Sequence, residues 1–114
     1  MKKLLLTITF LFMFCANVSA QIYLGTYDNT QFFVDETSYQ EHNNITYLTL
    51  ISMNTESTIY SNTKIDTHNQ MFCMYHNFVI TPNKQYEQYS NIWYLYDNDC
   101  LIQYALDAVK GVRL

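Results

Sequence analysis

The sequence predicts an α+β domain: an antiparallel β-sheet of five or six strands with a C-terminal α-helix packed on one face. Three observations carry this. Runs of Tyr, Ile, Val and Thr alternate with polar residues, as strands do. Asn- and Asp-rich breaks such as Asp28-Asn29 and Asn43-Asn44 separate those runs. After Trp93 the apolar period changes from two residues to a helical one, with Leu101, Ile102, Ala105, Leu106 and Val109 on one stripe.

The chain opens on a stretch of different character. Lys2 and Lys3 precede a nearly continuous apolar run over residues 4–15, and Val18-Ser19-Ala20 places small residues before a cut between Ala20 and Gln21. That is the three-part shape of a secretory signal. The apolar run is short for a bilayer span, and no second such run follows, so no transmembrane anchor is expected in the mature chain. Cys15 follows the bulky Phe14, which argues against lipidation. The expectation is a signal peptide over residues 1–20 and one small exported β-rich domain over residues 21–114.

Charge narrows the partners. After residue 20, Lys64, Lys84, Lys110 and Arg113 face ten acidic residues, a net charge of about −6. Such a chain repels nucleic acid and anionic lipid. A domain this small buries a modest fraction of its surface, so its core leaves a thin stability margin. Two cysteines remain after the cut, Cys73 and Cys100. In an oxidising compartment an isolated pair is a candidate disulfide. Closing a loop of about 28 residues would add roughly 3.5 kcal/mol if loop entropy dominates. The alternative is two free thiols.

In order along the chain, residues 21–27 read as a first strand. Asp28-Asn29 is a tight turn, and residues 31–34 are the return. Asp35-Glu36-Thr37-Ser38 breaks the pattern, as a cap or a bend. Residues 41–44 are a polar loop. Residues 45–53 are the strongest strand, apolar on both faces, which suggests a central position. Residues 58–65 are a weaker strand. Residues 70–80 form a long bulky one, in which strict alternation places Phe72, Met74, His76, Phe78 and Ile80 on one side and Cys73 and Tyr75 on the other. Thr81-Pro82-Asn83-Lys84 is a turn, and residues 85–94 are the returning strand. Asp97, Asn98 or Asp99 can cap the final helix, and Lys110, Gly111 and Arg113 signal its end. Cys100 in its first turn would then tie the helix to the strand of Cys73.

No catalytic constellation emerges. The adjacent Asp35 and Glu36, and Asp97 and Asp99, read as turn carboxylates. Cys73 and His76 would point to opposite faces of a regular strand, so they form neither a metal pair nor a nucleophile–base pair. With Gly25 and Gly111 as the only glycines, a phosphate-cradling loop is not available. No cofactor, metal or enzymatic activity is expected. Tyrosine is left as the functional signal. Eleven tyrosines exceed what a small core can hold, and Tyr75, Tyr86, Tyr89 and Tyr94 are the candidate binding surface. The expected role is a non-enzymatic binding protein with a protein partner or with itself. The alternatives are an inhibitor of a hydrolase such as lysozyme, read from the acidic charge, and a structural envelope protein.

The mature chain resembles the surface-adhesin protein E-like family of small exported Gram-negative proteins. The residues concerned are Tyr23, Phe32-Phe33-Val34-Asp35, Ser38-Tyr39, Asn43-Asn44 with the strand over 45–51, Ile65-Asp66 before Thr67, Trp93, and the stretch from Asp97 through Cys100 to Lys110. Thr67 and Lys110 stand where the family commonly has two cysteines, and Cys73 and Cys100 would supply an alternative staple. The resemblance implies a sheet with a packed helix, placement at the cell surface or in the periplasm, and an adhesin-like role. It assigns no binding residue.

Overall fold

A computed structural model describes residues 20–113; the leader reading over residues 1–20 lies almost entirely outside them. The elements are β1 (Gln21–Tyr27), β2 (Thr30–His42), β3 (Ile45–Met53), β4 (Thr58–Asp66), β5 (Met71–Ile80), β6 (Gln85–Tyr89), β7 (Tyr94–Leu95) and α1 (Leu101–Arg113). The first six strands lie in sequence order, each antiparallel to the next, and β7 pairs with the free end of β5 beyond β6. The expected architecture is therefore the observed one, with six strands in the meander and a seventh short one.

The hairpins follow from the turn residues. Asp28 and Asn29 have φ of 52° and 62°, and Asn43 and Asn44 have 53° and 67°. Two successive left-handed residues match the twist of the flanking strands, and Asn and Asp tolerate that conformation best among residues with side chains. The expected loop over 41–44 shrinks accordingly to a two-residue turn, with Glu41 and His42 still paired in β2.

The break at residues 35–38 is a bend inside one strand rather than an end. The register of β2 against β3 shifts between Asp35 and Gln40. Side chains take over the ladder there. Thr49 N–H donates to Ser38 Oγ at 2.7 Å, and Ser38 Oγ donates to the Asp35 carbonyl at 2.6 Å. Asp35 Oδ1 accepts from Thr37 N at 3.0 Å and from Thr37 Oγ1 at 2.6 Å. Because the displaced backbone groups find these partners, the strand survives the irregularity.

The core lies between α1 and one face of the sheet. Val34, Leu48, Leu50 and Ile65 from β2, β3 and β4 meet Ile102, Ala105, Leu106 and Val109, with Tyr96 closing one end. The helical residues recur at i, i+3, i+4 and i+7, which keeps them on one stripe. α1 lies over β1 and β2. Cys100 occupies the helix N-cap, since its carbonyl accepts the Tyr104 N–H at 3.1 Å. Asp97 instead holds the preceding turn by accepting from Asp99 N. The helix continues past Gly111 to Arg113, so that glycine is not its stop.

Strict alternation fails on β5, and this decides which side chains share a face. The register between β4 and β5 shifts between Asn62 and Thr63, leaving Tyr75 as an extra residue. Directly opposed residues share a face. Phe72 and Met74 pack against the helix-side core. His76 and Phe78, opposite Asn62 and Tyr60, lie on the other face with Cys73, which is opposite Lys64.

The proposed Cys73–Cys100 disulfide is therefore overturned. Both cysteines are free thiols. Cys73 is fully buried on the helix-free face, with Sγ 3.7 Å from the Ser90 carbonyl oxygen. Cys100 packs on the edge of the helix-side core, with Sγ 3.1 Å from the Asp97 carbonyl oxygen. The sheet stands between them, and a disulfide spans only about 5.5–6 Å between Cα atoms.

Candidate functional site

The face of the sheet opposite α1 concentrates the residues that packing beneath the helix does not use. Its composition follows from the register. One transverse row runs Tyr23, Phe33, Ile51, Tyr60, Phe78 and Glu87 across β1 to β6. The next row runs Asp35, Thr49, Asn62, His76 and Tyr89. The third holds Tyr47, Lys64 and Cys73, with the extra Tyr75 beside them. Two residues of rise separate neighbouring rows, about 7 Å. The face is thus two aromatic stripes with a polar stripe between.

The polar stripe is internally hydrogen-bonded. Thr49 Oγ1 donates to Asn62 Oδ1 at 2.7 Å. Asn62 Nδ2 lies 2.9 Å from His76 Nδ1. An amide nitrogen only donates, so Nδ1 accepts and the imidazole carries its proton on Nε2. Nε2 is 2.9 Å from Glu87 Oε1 and donates to it. The Tyr89 ring stacks on the imidazole, with centroids 4.8 Å apart and planes 24° apart. With both ring nitrogens engaged, His76 is a poor general base for an incoming substrate. The bulge at Tyr75 does bring Cys73 to the same face as His76, against the alternation expected from sequence. No thiol–imidazole hydrogen bond joins them: Cys73 Sγ turns to Ser90.

The third row is held by a cation. Lys64 Nζ sits 5.7 Å from the Tyr75 ring centroid and 5.3 Å from that of Trp93. Tyr75 meets Tyr47 edge to face at 6.4 Å, and Phe33 meets Tyr23 at 5.5 Å. Such pairs stabilise by about 0.5–1.5 kcal/mol beyond area burial. Most of these rings are half-buried, while Tyr89 is 73 % exposed.

The four tyrosines expected to form one surface are divided between two. Tyr75 and Tyr89 belong to the helix-free face. Tyr94 packs on Phe72, which contacts the helix-side core, with ring centroids 5.7 Å apart. Tyr86 is opposite Val79 and carries Lys84 over its ring at 5.0 Å. Phe33, Tyr60, Phe78 and Trp93 join Tyr75 and Tyr89 instead. The signal for them was the two-sided apolar pattern of residues 45–53, which marked the second face but not its members.

A separate cleft of about 820 Å³ lies between the β2–β3 and β4–β5 turns, lined by Glu41, His42, Asp66 and His68 among others. Its carboxylates serve local structure. Asp66 accepts from Asn69 Nδ2 at 2.7 Å and from the backbone N–H groups of Asn69 and His68, both at 3.1 Å. These bonds, the Asn69 side chain first, hold its carboxyl below the ordinary value. Glu41 accepts from the Tyr39 hydroxyl at 2.5 Å. Among the described residues no group of three His, Cys, Asp or Glu is placed to hold a metal. A smaller apolar groove of about 440 Å³ runs between the β1–β2 hairpin and the start of α1, lined by Leu24, Phe32, Leu101, Tyr104 and the half-exposed Cys100. No described helix is long and apolar enough to cross a membrane.

No family model, curated protein or solved structure matches the chain. The adhesin label drawn from the protein E-like resemblance therefore has no support from relatives, and the substitute staple drawn from it fails with the free thiols.

Proposed function

We propose that this protein is a non-enzymatic binding module that engages a protein partner through the helix-free face of its sheet. The observation that carries the reading is the combination of aromatic stripes with a polar stripe whose groups already satisfy one another. Interface cores are rich in Tyr, Trp and Phe and poor in charge. Lys64 and Glu87 are the charges that line this face apart from Asp35, which is bonded to Thr37, and Asp66 at its end, which is bonded within its own turn. Covering a polar group is costly when it loses water without gaining a partner. Thr49, Asn62 and His76 have their partners before anything binds, so an apolar surface can cover them at small cost. Aromatic side chains already packed against each other also lose little entropy on binding. Export, read from the leader, would place this face toward extracytoplasmic proteins.

Site-specific photocrosslinking in the producing cells tests the reading. Benzoylphenylalanine at Tyr60 or Phe78 should give a discrete protein adduct, and the same group at Tyr104 on the outer side of α1 should not. Equal labelling from both faces, or none from Tyr60 and Phe78, would refute the assignment.

A further inference from the structure

We propose that the hydrogen-bonded chain Thr49–Asn62–His76–Glu87 is a protonation switch that controls how firmly β6 and the exposed Tyr89 ring are held on the binding face. The proposal rests on the function inferred above for that face and adds its regulation.

The geometry leaves one arrangement for each charge state. With neutral His76, Nδ1 accepts from Asn62 Nδ2 and Nε2–H donates to Glu87. A second proton on the ring must go to Nδ1, which faces an amide NH₂ that cannot accept. The Asn62 amide then turns over, placing Oδ1 toward His76 and Nδ2 toward Thr49 Oγ1. The Thr49–Asn62 bond is kept with its direction reversed: Thr49 Oγ1, which had donated to Oδ1, now accepts from Nδ2. At the other end both contacts strengthen. The bond to Glu87 becomes an ion pair with charge on both sides. The stack on Tyr89 gains a cation over the ring. Protonation therefore reverses the hydrogen bond at β3 and tightens the chain at β6.

The surroundings allow this to act locally. The charged and titratable groups facing His76 are Tyr60 and Lys64 from β4, Cys73 and Tyr75 from β5 itself, Glu87 and Tyr89 from β6, Tyr47 from β3, and Asp35 at the far end of the same row. Lys64 is turned onto Tyr75 and Trp93, and Asp35 onto Thr37. Glu87 is thus the charge in direct contact with the imidazole. The His76 side chain is 22 % exposed, so protons reach it without unfolding. β6 is exposed along its whole length and is held by β5 on one side, which makes it responsive to one added contact.

Histidine is the side chain whose charge changes most readily between pH 8 and 5. Nitrogen-detected NMR of the ¹⁵N-labelled protein across that range reads the switch directly. At pH 8 the His76 signals should show the Nε2–H tautomer. On acidification the Asn62 side-chain NH₂ resonances should move in step with the His76 ring. Hydrogen-exchange protection of the β6 amides, corrected for intrinsic rates, should rise about 2- to 5-fold, the size of an exposed cation–π contact. His76→Gln should abolish both changes, and Glu87→Gln, which keeps an acceptor but no charge, should shrink the gain in protection. Asn62 resonances that stay fixed while His76 titrates, a ring that does not titrate, or unchanged β6 protection would each overturn the switch. None of these readouts needs a partner. A failed switch therefore leaves the binding face standing, and a missing crosslink leaves the switch standing.

Discussion

Comparing Leu106→Ala with Phe78→Ala separates a structural core from a binding face. Leu106 is 1 % exposed, beneath α1, within a cluster that includes Ala105 and Val109. Removing three carbon atoms loses about 0.8 kcal/mol for each, and the cavity left by a packed helix adds to that, for a total of about 3–4 kcal/mol. Phe78 is the larger side chain, and a fully buried phenylalanine would cost about 3–5 kcal/mol. It is only half-buried, on a face that no helix covers, so its truncation should cost about 1–2 kcal/mol. Urea unfolding followed by circular dichroism reads both. With a slope of about 1 kcal/mol per M for a small domain, the midpoint should fall by about 3–4 M and about 1–2 M respectively. The order matters more than either value, because by side-chain size alone it would be reversed. A midpoint loss for Phe78→Ala equal to that for Leu106→Ala would show that the helix-free face is a second core, and the binding assignment would fall.

Three further outcomes follow from local geometry. Of the two thiols in the described residues, Cys100 should react promptly with a disulfide reagent under native conditions, while Cys73 at 0 % exposure should react at least about 10³-fold more slowly, limited by opening of the domain. Two fast thiols would remove Cys73 from the interior, and an intact mass two units low would restore the disulfide. The depressed Asp66 carboxyl makes a stabilising contribution that is complete above about pH 4 and is lost as pH falls through its lower folded value. Asp66→Ala should therefore flatten the acid limb of the stability curve, and an unchanged limb would contradict the turn assignment. Burial raises the Tyr96 phenol, so the folded state resists its ionisation, and stability should fall as pH rises past about 10. Tyr96→Phe should weaken that alkaline loss when unfolding midpoints are compared at pH 9 and pH 11.

Much of the fold was legible because it rests on local signals. Asp28-Asn29 and Asn43-Asn44 supply the left-handed residues that two-residue hairpins require, and the turn positions largely set the strand ends. The stripe from Ile102 to Val109 has no other way to be buried than against a sheet. Two errors share one cause. The sequence places a break of the strand at residues 35–38, as a cap or a bend, and unbroken alternation along β5. In both places a register shift is stabilised by groups distant in sequence, such as the Thr49 N–H that meets Ser38. A bulge of this kind carries little local signature, since neither site contains Gly or Pro.

The candidate site shows the same division at higher cost. An abundance of tyrosine pointed to a binding surface, but a tyrosine's face depends on every register shift between it and the core. Tyr75 and Tyr89 reached one face, while Tyr94 packed beside Phe72 on the other. The relay from Thr49 to Glu87 joins four strands over 38 residues of sequence, and no spacing along the chain encodes it. By itself the amino-acid sequence determined the meander and its closing helix, because period and turn chemistry act over a few residues. Only the tertiary structure decided which side chains meet on the helix-free face and that Cys73 and Cys100 lie apart, because a one-residue bulge reverses the facing of everything beyond it.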